Sequence, residues 1–151
     1  MKRHLKNVYI ISLIMVIIDQ FIKAVVSYNM HLYDTFTLIK DFLDINLVHN
    51  TGAAFSFLQG GRVLFIVIAL IVILIISMYI NSNDDVDKKK TLIYSLLLGG
   101  IVGNLIDRIF LGYVVDFIGI ELFGNSYPIF NIADIFIVVG AIFVIFEKAE
   151  K

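Results

Sequence analysis

Two aspartates in this chain are set among apolar residues. Asp116 lies in Val114-Val115-Asp116-Phe117-Ile118, and Asp134 closes Phe130-Asn131-Ile132-Ala133-Asp134. Two carboxyls brought into hydrogen-bonding range cannot both ionise easily, because like charge and partial desolvation raise one pKa. Such a pair holds one proton near neutral pH. Its charged member can take a proton from a water, while the protonated member polarises a carbonyl and later helps protonate a leaving amine. Simpler readings stand beside this one. Asn131 as N-cap with Asp134 at the third helical position suits a helix start and its dipole, and Asp116 can be an ordinary loop acid.

Further ionisable groups occur inside apolar runs, where charge costs several kcal/mol. Asp19 and Lys23 have i,i+4 spacing, which puts acid and base on one helix face. They are either a self-neutralising pair that eases insertion or a polar wall of a site, and the two roles are compatible. In Gly99–Arg108, a turn of about 100° per residue places Gly100, Gly103, Asn104, Asp107 and Arg108 on one stripe. Gly99 and Gly103 form a GxxxG step that allows close helix approach. The stripe is either plain packing with an interior ion pair or a polar seam that orients a bound group. Asp107 and Arg108, as sequence neighbours, need partners on other helices. Other catalytic patterns are absent: no HExxH, no GxSxG, no phosphate loop after a strand, and His4, His31 and His49 are scattered. Lys23 and Ser27 have helical spacing for a Ser–Lys dyad, a common coincidence.

The elements that must position these groups follow from hydropathy. The 151 residues are 60% hydrophobic, with mean hydropathy +0.93. The excess falls in four runs, residues 8–26, 63–80, 92–111 and 129–146, each able to cross a bilayer core of ~30 Å. A single membrane domain over residues 1–151 is expected, with outer loops 27–62 and 112–128. Lys2, Arg3, Lys6, Lys88, Lys89, Lys90, Lys148 and Lys151 fall on one side of a four-span layout, so both termini are expected to be cytoplasmic. The first run also resembles a signal peptide, but Asp19, Gln20 and Lys23 argue for retention. Thr35–Val48, Phe55–Leu58 and Tyr113–Ile118 read as extended segments of a small outer sheet. The fold class is therefore all-α integral membrane, a four-transmembrane-helix bundle with a small β-rich extracytoplasmic platform. A net charge of −1 offers no nucleic-acid footprint. The lack of cysteine removes disulfides, thiol catalysis and Cys-based metal sites.

Taken in order, Asp19-Gln20-Phe21-Ile22-Lys23, Asn50-Thr51-Gly52-Ala53-Ala54-Phe55, Gly99–Arg108, Val114-Val115-Asp116-Phe117 and Phe130–Asp134 resemble the blocks of bacterial lipoprotein signal peptidases, the signal peptidase II family. The resemblance spans nearly the whole chain. It implies a membrane aspartic endopeptidase that cuts prolipoproteins before a diacylglyceryl-modified cysteine. Asp116 and Asp134 match its catalytic pair. Asp19, Lys23, Asn50, Gly52, Asn104, Asp107, Arg108, Asn131 and Ala133 match supporting or substrate-contacting positions. It implies no metal and no cofactor, prolipoprotein and membrane lipid as partners, a monomer, and a site near the outer face of the bacterial cytoplasmic membrane. The rival readings are a proton- or ion-coupled transporter using Asp19, Lys23, Asp107 and Arg108 as a relay, and a non-catalytic scaffold held by its GxxxG step. Inverted repeats, which a transporter would show, are not visible, and the scaffold leaves the outer acid pair unexplained.

Overall fold

The computed structural model describes residues 3–52, 60–83 and 86–149. The predicted strand Phe55–Leu58 lies outside the described residues, as do Ala53, Ala54 and Phe55 of the second block. The element order is α1 (Arg3–Asn29), β1 (Thr35–Ile39), β2 (Leu43–Asn50), α2 (Arg62–Ser82), α3 (Lys88–Phe110), β3 (Val114–Leu122), β4 (Asn125–Ser126) and α4 (Ile132–Ala149). Among the described residues, three helices, His4–Asn29, Arg62–Ser82 and Lys88–Phe110, are long and apolar enough to cross a membrane.

Packing is inverted relative to a water-soluble bundle. On α1, Asp19 and Lys23 are 0% and 3% exposed, whereas Leu13, Ile17 and Phe21 are 59%, 58% and 67% exposed. Lipid solvates apolar side chains but not charge, so the polar face turns inward. The central helix is α3, packed between α1 and α4. Glycine makes that approach physically feasible. A Cβ at Gly99 would lie 2.7 Å from Met15 Cβ on α1, one at Gly103 would lie 2.6 Å from Asp19 Oδ2, and one at Gly100 would overlap the Ala133 carbonyl on α4. At the end remote from the aspartates, Leu5, Val8, Ile80, Val86 and Leu98 close the bundle.

Helix ends differ from the hydropathy boundaries because capping sets them, not apolarity. α3 starts at Lys88, not residue 92, since the Asp87 side chain accepts from Lys90 N at 2.8 Å. α4 starts at Ile132, not residue 129. Ile129 lies outside the helix, and Phe130 bridges Ile118 through backbone bonds of 2.8 and 3.1 Å. At the other end of α3, Gly112 adopts φ +88°, a left-handed conformation natural to glycine, and turns the chain into β3.

The strands form an antiparallel sheet in the order β1-β2-β3-β4. Residues Leu43–Ile45 pair with Ile118–Ile120, and Val48–Asn50 pair with Val114–Asp116, with a bulge between the two stretches. The register sets Val48 opposite Asp116 and Asn50 opposite Val114. The glycine contacts give a direct test. Gly100→Val should force α3 and α4 apart and destabilise the protein by about 1–3 kcal/mol, read as a lowered unfolding temperature in detergent; an unchanged temperature would contradict the packing.

Candidate active site

Four elements, β2, α3, β3 and α4, deliver the two aspartates and the amides around them. Asp116 sits on β3 and Asp134 on the first turn of α4. Asp116 is 3% exposed. Its Oδ2 accepts from Asn50 Nδ2 at 2.9 Å, and its Oδ1 accepts from Asn131 Nδ2 at 2.6 Å. Asp134 Oδ1 accepts from Asn104 Nδ2 at 2.8 Å, and its Oδ2 accepts from Asn131 N at 3.1 Å. Asn131 returns the bond, its Oδ1 accepting from Asp134 N at 3.0 Å. This reciprocal pair is a helix cap of the capping-box kind. Asp134 also lines a cavity, so the capping role and a place in the site coexist. Asn131 thus holds both acids, one by its side chain and one by its backbone.

Behind the amides lies a buried ion cluster. Lys23 Nζ is 2.9 Å from Asp19 Oδ2, 2.9 Å from Asp107 Oδ2 and 2.9 Å from Asn104 Oδ1. Three acceptors match the three N–H groups of an ammonium. Each carboxylate then reaches one step further. Asp107 Oδ2 accepts from Val115 N at 3.1 Å, the residue before Asp116. Asp19 Oδ1 accepts from Ala133 N at 3.0 Å, the residue before Asp134. One lysine therefore ties together the two carboxylates that grip the chain immediately ahead of each acid. The i,i+4 pair read from sequence is present, and Asp107 finds its partner on another helix as expected.

The acids open onto a cavity of about 460 Å³, also lined by Asn50, Asn104 and Arg108. Its remaining walls are largely apolar, with Phe65, Ile68, Ala69 and Val72 from α2 and Ile137 and Val138 from α4. Among the helices α2 packs mainly on α3, which leaves this space between α2 and α4. Arg108 lies over the Phe65 ring with Cζ 5.1 Å from its centroid. Its hydrogen bonds to Asn104 O and Gly52 O are long, 3.3 and 3.4 Å. Gly52 N donates to Asn50 Oδ1 at 2.9 Å, so the loop after β2 is fixed to the same asparagine that holds Asp116. Asp19, Lys23, Asp107, Asn131 and Ala133 stand behind the cavity wall and do not line it.

Burial is the main influence on the Asp116 carboxyl and pushes it up to about 7. The Asn50 amide opposes that rise, the charge of Asp134 adds to it, and the Asn131 amide opposes it. Among the described residues no cluster of three or more His, Cys, Asp or Glu is arranged to hold a metal ion.

Sequence reasoning passed over three contributors. Gln20 Nε2 donates to Asp107 Oδ1 at 2.9 Å and lies 3.2 Å from both Asp19 Oδ2 and Gly103 O. Its signal was its place beside Asp19, on the face directed at α3. Arg62 caps α3, its Nε and Nη2 donating to Arg108 O at 2.6 Å and Ile109 O at 2.7 Å. His49 and Tyr113 stack at 3.7 Å between ring centroids, next to the strand positions of Asn50 and Val114. Neither of the last two had a local sequence signal, since each joins separate elements.

An inside-out helical frame enclosing paired acids and an apolar cavity is the architecture of a membrane-embedded hydrolase. The chain matches the family described as Signal peptidase (SPase) II over residues 11–149. It is 41% identical to the lipoprotein signal peptidase of Halothermothrix orenii over 134 residues, 89% of each chain. It is 44% identical to that of Bacillus pumilus, over 89% of this chain and 86% of the relative. Two solved bacterial membrane enzymes share the fold. One, at 2.3 Å resolution, gives a TM-score of 0.87 at 34% identity, covering 96% of this chain and 88% of that one. The other, at 1.9 Å, gives 0.83 at 35% identity, covering 94% and 92%. The chain belongs to the signal peptidase II family and is a bacterial membrane enzyme of the aspartic peptidase class.

The cluster geometry makes a stability prediction. Lys23→Met leaves Asp19 and Asp107 buried without their cation and should cost about 3–5 kcal/mol. Adding Asp19→Asn should recover part of the loss, a coupling read by thermal unfolding of the single and double variants; strictly additive losses would deny the cluster.

Proposed function

We propose that this peptidase removes the signal peptide from prolipoproteins, cutting before a diacylglyceryl-modified cysteine, with Asp116 and Asp134 as the catalytic pair. The observation that carries the reading is the shared cavity: two amide-bridged carboxyls at one end of an apolar space of about 460 Å³ between α2 and α4. An apolar signal segment suits those walls, and hydrolysis needs the water that a boundary site admits.

In the mechanism we assign, Asp116 carries the proton that the pair shares, because burial holds its pKa near 7. Asp134 is the base. It takes a proton from a water lying between the acids, and that water attacks the scissile carbonyl. Asp116 hydrogen-bonds the carbonyl oxygen, and the pair then returns a proton to the leaving amine. Asn50, Asn104 and Asn131 contact the acids as neutral donors, so they fix position without adding a full charge. Arg108 borders the cavity and orients substrate carbonyls. Gly52 carries the loop contact, and Asp19, Lys23, Asp107 and Ala133 hold the two acid-bearing segments.

In this reading α4 is the fourth crossing, both termini are cytoplasmic and the aspartates lie toward the outer face, a layout that the lysine distribution supports. The protein acts as a monomer, with membrane lipid receiving the acyl chains of the substrate. The transporter reading finds no support in the cluster. Asp19, Lys23 and Asp107 bond to one another in a closed group rather than along a path.

Asp116→Asn and Asp134→Asn should each lower the cleavage of a lipidated peptide by more than about a thousandfold while the protein stays folded. Near-full activity in either variant would remove the pair from the mechanism. The pH dependence has a definite sign. The raised pKa of Asp116 means the shared proton is present below about 7 and lost above it. Cleavage, followed as kcat/KM, should therefore decline on the alkaline side by up to about tenfold per pH unit. A profile that stays level well into the alkaline range would contradict the assignment.

A further inference from the structure

The last turn of a helix has carbonyls for which the helix holds no donor of its own. At the end of α3, Leu111 N and Gly112 N both turn to Asp107 O. The next two carbonyls, Arg108 O and Ile109 O, go to Arg62 on α2, whose Nε and Nη2 donate at 2.6 and 2.7 Å. The third nitrogen, Nη1, lies against the Gly112 turn, 3.5 Å from where a Cβ would stand. A cation at a helix C-terminus is a favourable cap, and stability alone would account for Arg62 on these contacts.

Phe65 adds a second contact to the same residue of α3. It stands three positions after Arg62, on the same face of the first turn of α2. The Arg108 guanidinium lies over its ring, Cζ 5.1 Å from the centroid. One turn of α2 therefore holds Arg108 twice, by its carbonyl and by its side chain. Little else holds the guanidinium. Among the described residues no carboxylate stands within ion-pair distance of it, and its hydrogen bonds to Asn104 O and Gly52 O are long, at 3.3 and 3.4 Å. Arg108 and Phe65 line the same cavity as Asp116 and Asp134. The charge beside the acids belongs to α3, but α2 sets its place.

We propose that Arg62 and Phe65 are positioning residues for the peptidase reaction: Arg62 fixes the backbone of Arg108, Phe65 fixes its guanidinium, and together they set where that cation meets the substrate carbonyl. The inference rests on the peptidase reading and on the part given there to Arg108. It assigns α2 a role beyond that of an apolar wall. A ring face attracts a guanidinium through its quadrupole and leaves the charge in place, whereas a bonded carboxylate would neutralise it.

The test uses the full chain in nanodiscs and a synthetic signal peptide bearing a diacylglyceryl cysteine, with kcat/KM and unfolding temperature read on every variant. Phe65→Leu keeps an apolar side chain without a ring and should lower kcat/KM about threefold to tenfold. Phe65→Tyr keeps the ring and should retain most of the activity. Arg62→Met should lower kcat/KM by a similar factor and lower the unfolding temperature as well. The decisive comparison is in an Arg108→Gln background. There neither Phe65→Leu nor Arg62→Met should reduce kcat/KM further, while Arg62→Met should still lower the unfolding temperature. Losses that multiply with Arg108→Gln would make the two residues plain wall and cap, and would overturn the proposal. So would full activity in Phe65→Leu, or an equal loss in Phe65→Leu and Phe65→Tyr. Should Arg62→Met fail to fold or Arg108→Gln leave no measurable cleavage, the comparison of Leu with Tyr at position 65 decides. Full activity in Arg108→Gln would remove Arg108 from the mechanism, and this inference with it, while the acid pair stands. If the unsubstituted protein does not cut the peptide at all, the peptidase reading falls, and the inference falls too.

Discussion

The Lys23 ammonium, buried between Asp19 and Asp107, is the interaction on which the rest of the structure depends. Each of these groups alone would carry a desolvation penalty of several kcal/mol in a membrane interior. Together they satisfy one another, with Asn104 accepting the remaining N–H of the lysine. The cluster joins α1 to α3, and its two carboxylates extend to Val115 on β3 and Ala133 on α4. Four elements are thereby given one relative position. The close approach that this needs is granted by Gly100 and Gly103, where a methyl group would strike Ala133 or Asp19.

What the cluster does for the proposed chemistry is to position without intruding. Lys23 bonds to Asn104 Oδ1, and the other end of that amide donates to Asp134. A neutral, polarised group thus stands between the cation and the acid. Asp116 likewise receives two amide donors rather than a lysine or arginine. A cation bonded directly to either carboxyl would favour its ionised form and remove the shared proton that the mechanism uses. Burial and the neighbouring acid can then hold Asp116 near 7 despite those two hydrogen bonds.

The surrounding frame serves access. Lipid offers helices no hydrophobic incentive to pack, so α2 need contact only part of the bundle. The open space between α2 and α4 follows, apolar enough for a signal helix and ending at the acids.

Much of this was already legible in the chain. Apolar run length gave the helical frame, β-branched segments gave β1, β2 and β3, and i,i+4 spacing gave the Asp19–Lys23 pair. Those features depend on neighbours in sequence, and periodicity records them. Helix starts differ from the apolar runs by up to five residues, because hydropathy does not register a cap such as Asp87. The role of Asn131 as the joint between two acids, the hold of Asp19 on Ala133 and of Asp107 on Val115, and the contributions of Gln20 and Arg62 came only with the fold. Each is a contact between elements distant in the chain, fixed by helix rotation and strand register to within fractions of an ångström. Residue identity sets which groups can bond; only tertiary packing decides which of them meet.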